Sequence, residues 1–310
     1  MLALLALATL APLLIVPGAL IARALLGAVP GEWSLEGLYA RVALGALLNG
    51  WLAFTLGQLG VFSPWLHLTL VLAICALAAF GAYRRGSLLP LWKAAGPHLG
   101  LQWRSLPLPT LALSGALLIF ALLIARPFEV VIGVRDAGVY ANAGFAMART
   151  GSLVQRDDIV AQIAADKRSA DPELAAAAAQ AETNFLGVQP RQRNIATRLR
   201  AAGFYINEGE LDDGLVTPQG LHLFSAWVGL LTSLLGAQGG LLAPGLMGLL
   251  GVWSIGMLGR RLAGPWAGAL AALLLALNAT QVWFSRYSTT ETTAQFLTFA
   301  GLYFFACATA

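Results

Sequence analysis

Charged side chains are scarce in this 310-residue chain: they make up 11% of it against 58% hydrophobic residues, and the mean hydropathy is +0.73. A soluble fold of this length covers its surface with about a quarter charged residues, so the shortage excludes an ordinary water-soluble protein and makes lipid the solvent. Cysteine is nearly absent. Cys75 and Cys307 both fall inside apolar runs, which supports neither a disulfide framework nor a metal cluster, and gives no reading of redox compartment. A basic patch is missing as well. The 19 Lys and Arg outnumber the 15 Asp and Glu by a net +4 that is dispersed over the loops, which argues against nucleic acid as a partner. No internal repeat with a period of about 20 to 50 residues is present.

Long apolar runs, by contrast, are plentiful. A helix crossing about 30 Å of hydrocarbon needs roughly 20 apolar residues. Leu2 to Ile21 is the first such run. It lacks a basic leader and outlasts the apolar core of a secretory signal, so it reads as a retained helix despite Pro12, Pro17 and the weak cleavage signal Ala22-Arg23-Ala24. Val42 to Leu59 and Leu66 to Tyr83 follow, joined by Gly60-Val61-Phe62-Ser63-Pro64, whose Ser-Pro suits a cap and first turn. Leu108 to Ala125, Gly240 to Leu258, Pro265 to Phe284 and Thr292 to Ala310 complete the set. Between them, Arg126 to Pro218 is a more polar stretch of about ninety residues that holds most of the acids.

Charge assigns the sides. The segment Arg84 to Leu106 carries Arg84, Arg85, Lys93 and Arg104 with no acid, which places it in the cytoplasm. The next helix then delivers the polar stretch outward, and the N-terminus also lies outside. Arg260-Arg261 belongs inside too, so an odd number of crossings separates it from Pro218. The short run His222 to Leu235 is therefore expected to lie along the outer interface. The expectation is an all-α polytopic membrane protein of the cell membrane: about seven spanning helices, an outer interfacial helix and a large extracytoplasmic loop with short helices. Residues 1–107 form a three-span region with the basic cytoplasmic loop, and 108–310 a membrane core that includes the loop 126–218. Because Ala310 ends flush with an apolar run, a C-terminal truncation is expected.

Two clusters could carry chemistry. Asp136 lies in Arg135-Asp136-Ala137-Gly138-Val139-Tyr140, shares a helix face with Tyr140, and opens a helical pattern that stops at Thr150-Gly151. A helix-capping role would also account for it. Trp283-Phe284-Ser285-Arg286-Tyr287-Ser288-Thr289-Thr290-Glu291 sets a cation, hydroxyls and a carboxylate on the same outer face. Interfacial anchoring explains its aromatics and arginine, but not Glu291, which is costly near hydrocarbon. Two carboxylates and an arginine suit a reaction on a phosphate-bearing lipid, with a carboxylate as base and the arginine on the phosphate. His222 could touch a phosphate or acceptor, or be a polar-face residue. Other polar groups have simpler roles. Asp157-Asp158 suits a loop or helix cap, and Asp171-Pro172-Glu173 opens an Ala-rich helix to about Phe185. Glu208, Glu210, Asp212 and Asp213 form a turn without the ligand order of an EF-hand. Gly264 and Gly268 have the spacing of close helix packing.

On these elements, together with Thr217-Pro218-Gln219-Gly220-Leu221-His222-Leu223-Phe224 and Gly259-Arg260-Arg261-Leu262-Ala263-Gly264, residues 108–310 resemble the GT-C superfamily of polytopic glycosyltransferases. The likeness is to the family of protein O-mannosyltransferases and the lipid A aminoarabinose transferase. It implies inverting transfer of a sugar from a polyprenyl-phosphate donor to a lipid, glycan or protein acceptor at the extracytoplasmic face. Asp136 would be the general base, Glu291 the second acid of the site and Arg286 a donor-phosphate contact. Tyr140, His222 and Arg135 complete the substrate-binding set. Many relatives carry an acidic pair where this chain has Asp136-Ala137, which weighs against a metal-assisted role at that point; a divalent metal is the one possible cofactor. The alternative from another class is a non-catalytic transporter or a lipid-binding membrane scaffold. A transporter would usually place charges at mid-membrane and show matching halves.

Overall fold

The computed structural model describes residues 2–26, 34–87, 107–131, 135–185, 197–200, 203–207 and 213–309. Lys93, Arg104, Leu106, Glu208, Glu210, Asp212 and Ala310, all named above, lie outside the described residues.

The first helices are α1 (Leu2–Leu26), α2 (Leu35–Gln58) and α3 (Pro64–Arg84). Ser34 and Ser63 start α2 and α3: their hydroxyls accept the Gly37 and Leu66 amides at 3.0 and 3.1 Å. Pro64 occupies a first turn where its missing N–H costs nothing. Glycine sets how closely α1 and α2 approach. A Cβ on Gly18 would overlap the Arg41 carbonyl of α2, and one on Gly45 would overlap the Leu14 carbonyl of α1. In hydrocarbon, where apolar surface drives no association, such small-residue contact is the main source of helix pairing.

A polar knot ties α3 to this pair. The amide nitrogen of buried Asn49 donates to the Leu13 and Gly45 carbonyls at 2.9 and 2.8 Å, which fixes the side-chain orientation. Its oxygen then faces His67, whose Nε2–H donates to it at 2.9 Å. Asn49→Ala is expected to cost about 0.6 to 2 kcal/mol, the range of interhelical polar contacts within bilayers. Equilibrium unfolding in mixed micelles or bicelles measures this, and an unchanged stability would remove the knot from the interactions that hold α3.

The later helices are α4 (Leu108–Leu123), α5 (Arg135–Thr150), α6 (Asp158–Asp166), α7 (Pro172–Phe185), α8 (His222–Gly240), α9 (Ala243–Ala263), α10 (Pro265–Ala276), α11 (Ala279–Phe284) and α12 (Glu291–Ala308). Helix α9 packs on α10 and α12, and α4 lies against α10. Gly268 meets the Gly256 carbonyl and Gly259 across the α9–α10 contact, while Gly264, at φ 93°, makes the turn between them. Tyr39 of α2 joins the two groups of helices. It is fully buried, donates to Ser254 of α9 at 2.8 Å and meets Tyr303 of α12 edge to face, with centroids 4.9 Å apart. Helix α8 wedges between α2, α5 and α9, with Trp227 against Gly50 and Val228 against Gly144.

The segment between α5 and α8 is not purely helical, which corrects the expected all-α class. It holds strands β1 (Gln155–Arg156), β2 (Thr197–Arg200), β3 (Phe204–Asn207) and β4 (Leu215–Pro218), antiparallel in the order β1-β4-β3-β2. Val160 and Ala164 of α6 pack on Val216 and Phe204 of this sheet. Asp157 caps α6 through the Ile159 and Val160 amides, and Asp171 caps α7 through Glu173 and Leu174. Neither acid therefore needs a cation to explain it.

The expected seven crossings are also corrected. Among the described residues three helices are long and apolar enough to cross a membrane, Ala8–Leu25, Leu35–Gln58 and Pro64–Arg84. A fourth exists if His222–Gly240 and Ala243–Ala263, bent by 102° to each other, count as one broken span. Apolar runs overcount because chain direction changes inside them. Helix α4 ends at Leu123 before its run does, and α10 stops at Ala276, with α11 starting anew behind the Asn278 cap. Helix α12 begins with Glu291, Thr292, Thr293 and Gln295. Helix α8 runs past Leu235 to Gly240 through a non-helical Gly236, at φ 77° and ψ 179°. Three to four membrane-length helices make this a multi-pass membrane protein in general terms.

The bundle has two chemically distinct ends. At one, Glu36 accepts from the Tyr303 hydroxyl at 3.0 Å and lies 4.0 Å from both Arg260 and Arg261, Arg260 donates to Thr110 at 3.4 Å, and Arg85 donates to the Leu25 carbonyl at 3.0 Å. At the other, the ends of α2 and α5 meet the starts of α3 and α8: the Phe62 amide donates to the Gly151 carbonyl, and Gln58 bonds His222.

Candidate functional site

Chemistry-bearing residues concentrate at the second end, where β4 turns into α8. The Gln219 amide donates to the Gly203 carbonyl at 2.8 Å, and Gly220, at φ 91°, lets the chain pass over the Tyr140 ring, where any Cβ would collide. Tyr140 is buried and meets Phe224 edge to face, with centroids 5.9 Å apart. It is packed core that shapes the start of α8. His222 is held at both ring nitrogens: Nε2–H donates to the Pro218 carbonyl and Nδ1 accepts from the Gln58 amide, each at 2.6 Å. That pairing engages both ring nitrogens.

Beside His222 opens a cavity of about 300 Å³ between α2, α8 and α12. Trp51, Phe54, Leu223, Phe224, Ala294 and Leu297 give it an almost wholly apolar wall. A second, small cavity of about 10 Å³ lies beside it, sharing Trp51, Leu223, Thr293 and Leu297 and lined further by Trp227, Met247 and Phe296. The volume stands at the lower end of the ~300–1,000 Å³ usual for ligand sites.

Helix α12 starts from a turn rich in hydroxyls. Ser288, Thr289, Thr292 and Thr293 are buried, and among the described residues their hydroxyls have no hydrogen-bond partner. Arg286 in this turn is occupied structurally. Its Nε donates to the Arg126 carbonyl at 2.7 Å, its guanidinium lies 4.3 Å over the Phe128 ring, and its own carbonyl accepts the Phe128 amide at 2.7 Å. It thereby clamps the chain leaving α4 to the turn before α12. Glu291 is exposed in the first turn of α12 and lines a different, polar cavity of about 460 Å³ with Asn278, Gln281, Thr292 and Gln295. Asp136 is exposed in the first turn of α5 and, among the described residues, makes no side-chain hydrogen bond with Arg286 or Glu291. Arg135 begins α5, and its side chain lies outside the described residues.

Thus Tyr140 and His222 gather at the start of α8, Arg286 and Glu291 at the start of α12, and Asp136 stands apart on α5. No sequence signal marks Trp51, Phe54 and Leu297 of the apolar wall, or Thr293 beside them. Nor does any mark Gln281 and Gln295, which bond each other at 2.8 and 2.9 Å. The hydroxyl run around Thr290 is the nearest signal to both cavities.

The chain matches no protein-family model, no curated protein and no solved structure. The GT-C resemblance is therefore corrected, and with it the inferred glycosyltransferase activity, the polyprenyl-phosphate sugar donor, its acceptors and the cell-envelope role. Its motifs were short and individually common, and the membrane-length helices are too few for the polytopic fold they implied. Among the described residues no group of three or more His, Cys, Asp or Glu is arranged to hold a metal ion.

Proposed function

We propose that this protein is a non-catalytic, lipid-binding membrane scaffold that takes an acyl chain into the cavity between α2, α8 and α12. The observation that carries this reading is the wall of that cavity, which is aromatic and aliphatic, and where the one imidazole has both nitrogens engaged. A polar ligand would find few partners there. A hydrocarbon chain loses nothing by leaving the bilayer for it and gains close contact with Trp51 and Phe54. The basic end of the bundle, with Arg85, Arg260 and Arg261, faces the cytoplasm by the positive-inside rule, so the cavity opens at the extracytoplasmic leaflet of the cell membrane.

The test is photo-crosslinking with a phospholipid carrying a diazirine in its acyl chain, in nanodiscs, with adducts mapped by mass spectrometry. Adducts are expected on the segments around Trp51, Leu223 and Leu297 in excess of those on exposed leucines of α3. Ala294→Trp, which fills the cavity, is expected to reduce them about tenfold, equivalent to roughly 1.4 kcal/mol. Gly301→Trp on the same helix, where an added Cβ meets nothing within 4 Å, should leave them unchanged. Labelling spread evenly over the lipid-facing surface, or indifferent to Ala294→Trp, would sink the proposal.

A further inference from the structure

The polar cavity on the opposite flank of the first turn of α12 has a chemistry of its own. Gln281 and Gln295 clasp each other: each carboxamide nitrogen donates to the other's oxygen, at 2.9 and 2.8 Å, and Gln281 donates further to Ser285 at 3.3 Å. The clasp holds both oxygens in place and leaves each a second lone pair. Thr292, only 2% exposed, lines the same cavity, and its hydroxyl has no partner among the described residues. Glu291 supplies the one formal charge in the lining, and among the described residues no cation pairs with it.

These groups select a ligand by elimination. An anion would face an uncompensated carboxylate. An apolar ligand would leave the Thr292 hydroxyl without a partner and strip water from the Glu291 carboxylate. A neutral polyol satisfies the oxygens but makes no use of the charge. We propose that this cavity binds a primary ammonium group, whose three N–H donors reach the Glu291 carboxylate, the carboxamide oxygens and the Thr292 hydroxyl. The positive end of α12, equivalent to about half a charge, opposes a cation, and the full charge of Glu291 outweighs it. A primary ammonium reaches this end of the bundle from two sources, an ethanolamine lipid headgroup or a soluble amine. The site uses the face of α12 opposite the acyl-chain cavity, so it stands or falls separately from the lipid reading.

The experiment is thermal unfolding of the intact protein in phosphatidylglycerol nanodiscs, titrated with ethanolamine, choline or glycerol. Ethanolamine is expected to raise Tm saturably. Choline, which has the charge without N–H donors, and glycerol, which has hydroxyls without charge, should not. Glu291→Gln is expected to weaken the ethanolamine response at least about tenfold, and Thr292→Val to weaken it less. Because Glu291 is exposed, its variant folds, and the ligand-dependent increment is read against its own baseline. Repeating the titration with phosphatidylethanolamine in the disc separates the sources: loss of the response to added ethanolamine assigns the site to the headgroup, and an unchanged response to a soluble amine. An absent ethanolamine response, an equal response to choline or glycerol, or an undiminished one in Glu291→Gln overturns the proposal.

Discussion

Gly45→Leu is expected to abolish the folded protein, with loss of the monodisperse species in detergent and of the cooperative unfolding transition. The side chain would enter the backbone of α1 at Leu14, and Gly18 facing Arg41 keeps the crossing equally tight from the other side. Overpacking where side chains can move costs about 1 to 3 kcal/mol. Here the obstacle is a carbonyl, so α1 must separate from α2, and the Asn49 bond to Leu13 breaks with it. Even Gly45→Ala should lower the unfolding midpoint. Gly115→Leu on α4, where an added Cβ meets nothing within 4 Å, is the control and should change little. Wild-type unfolding of Gly45→Leu would show that the α1–α2 approach does not hold the fold.

Tyr39→Ala is expected to cost about 3 to 5 kcal/mol, the range for removing a buried aromatic ring. The ring fills the junction of α2 with α9 and α12, tilted 58° against Trp253 and edge-on to Tyr303. Tyr39→Phe separates packing from hydrogen bonding. It should cost only about 1 kcal/mol, because the Ser254 hydroxyl it leaves still donates to the Leu250 carbonyl at 2.7 Å. Reversible unfolding in bicelles measures both. Equal losses in the two variants would assign the contribution to the hydroxyl rather than the ring.

Local signals in the sequence were readable where one residue type has one job. Ser63-Pro64 and Asp171-Pro172 start α3 and α7, and Gly151, at φ 82°, ends α5. Apolar length was a poorer guide. It hid the opening turns of α2, where Glu36 and Arg41 lie within the helix, and it merged α10 with α11 across the Asn278 cap. The strands escaped because segments of two to four residues carry too little alternation to distinguish from loop. Asn49 and His67 are legible in principle, as polar residues inside apolar runs, yet their pairing depends on how α3 packs against α1 and α2, which no local pattern encodes. At the candidate site, charge is the signal that the sequence displays most plainly. Arg286 proved occupied by Arg126 and Phe128, whereas the cavities are walled largely by uncharged side chains.

The two short apolar helices give the molecule uneven thickness. Helix α4, with 16 residues, is about 24 Å long, and α10, with 12, about 18 Å, against some 30 Å of hydrocarbon. They pack side by side, and Leu118, Leu122, Leu270 and Leu274 project outward from them. The shortfall is thus concentrated on one flank, while α2 and α3, with 24 and 21 residues, meet a bilayer of ordinary depth. A bilayer of full depth set against that flank would have to shorten or tilt its lipids, at a fraction of a kcal/mol per Å of mismatch. The strain is relieved where the membrane is already thin or where a neighbouring protein shares the same deficit. Bilayer depth thereby becomes a variable that can steer where this protein accumulates and which way its neighbours face.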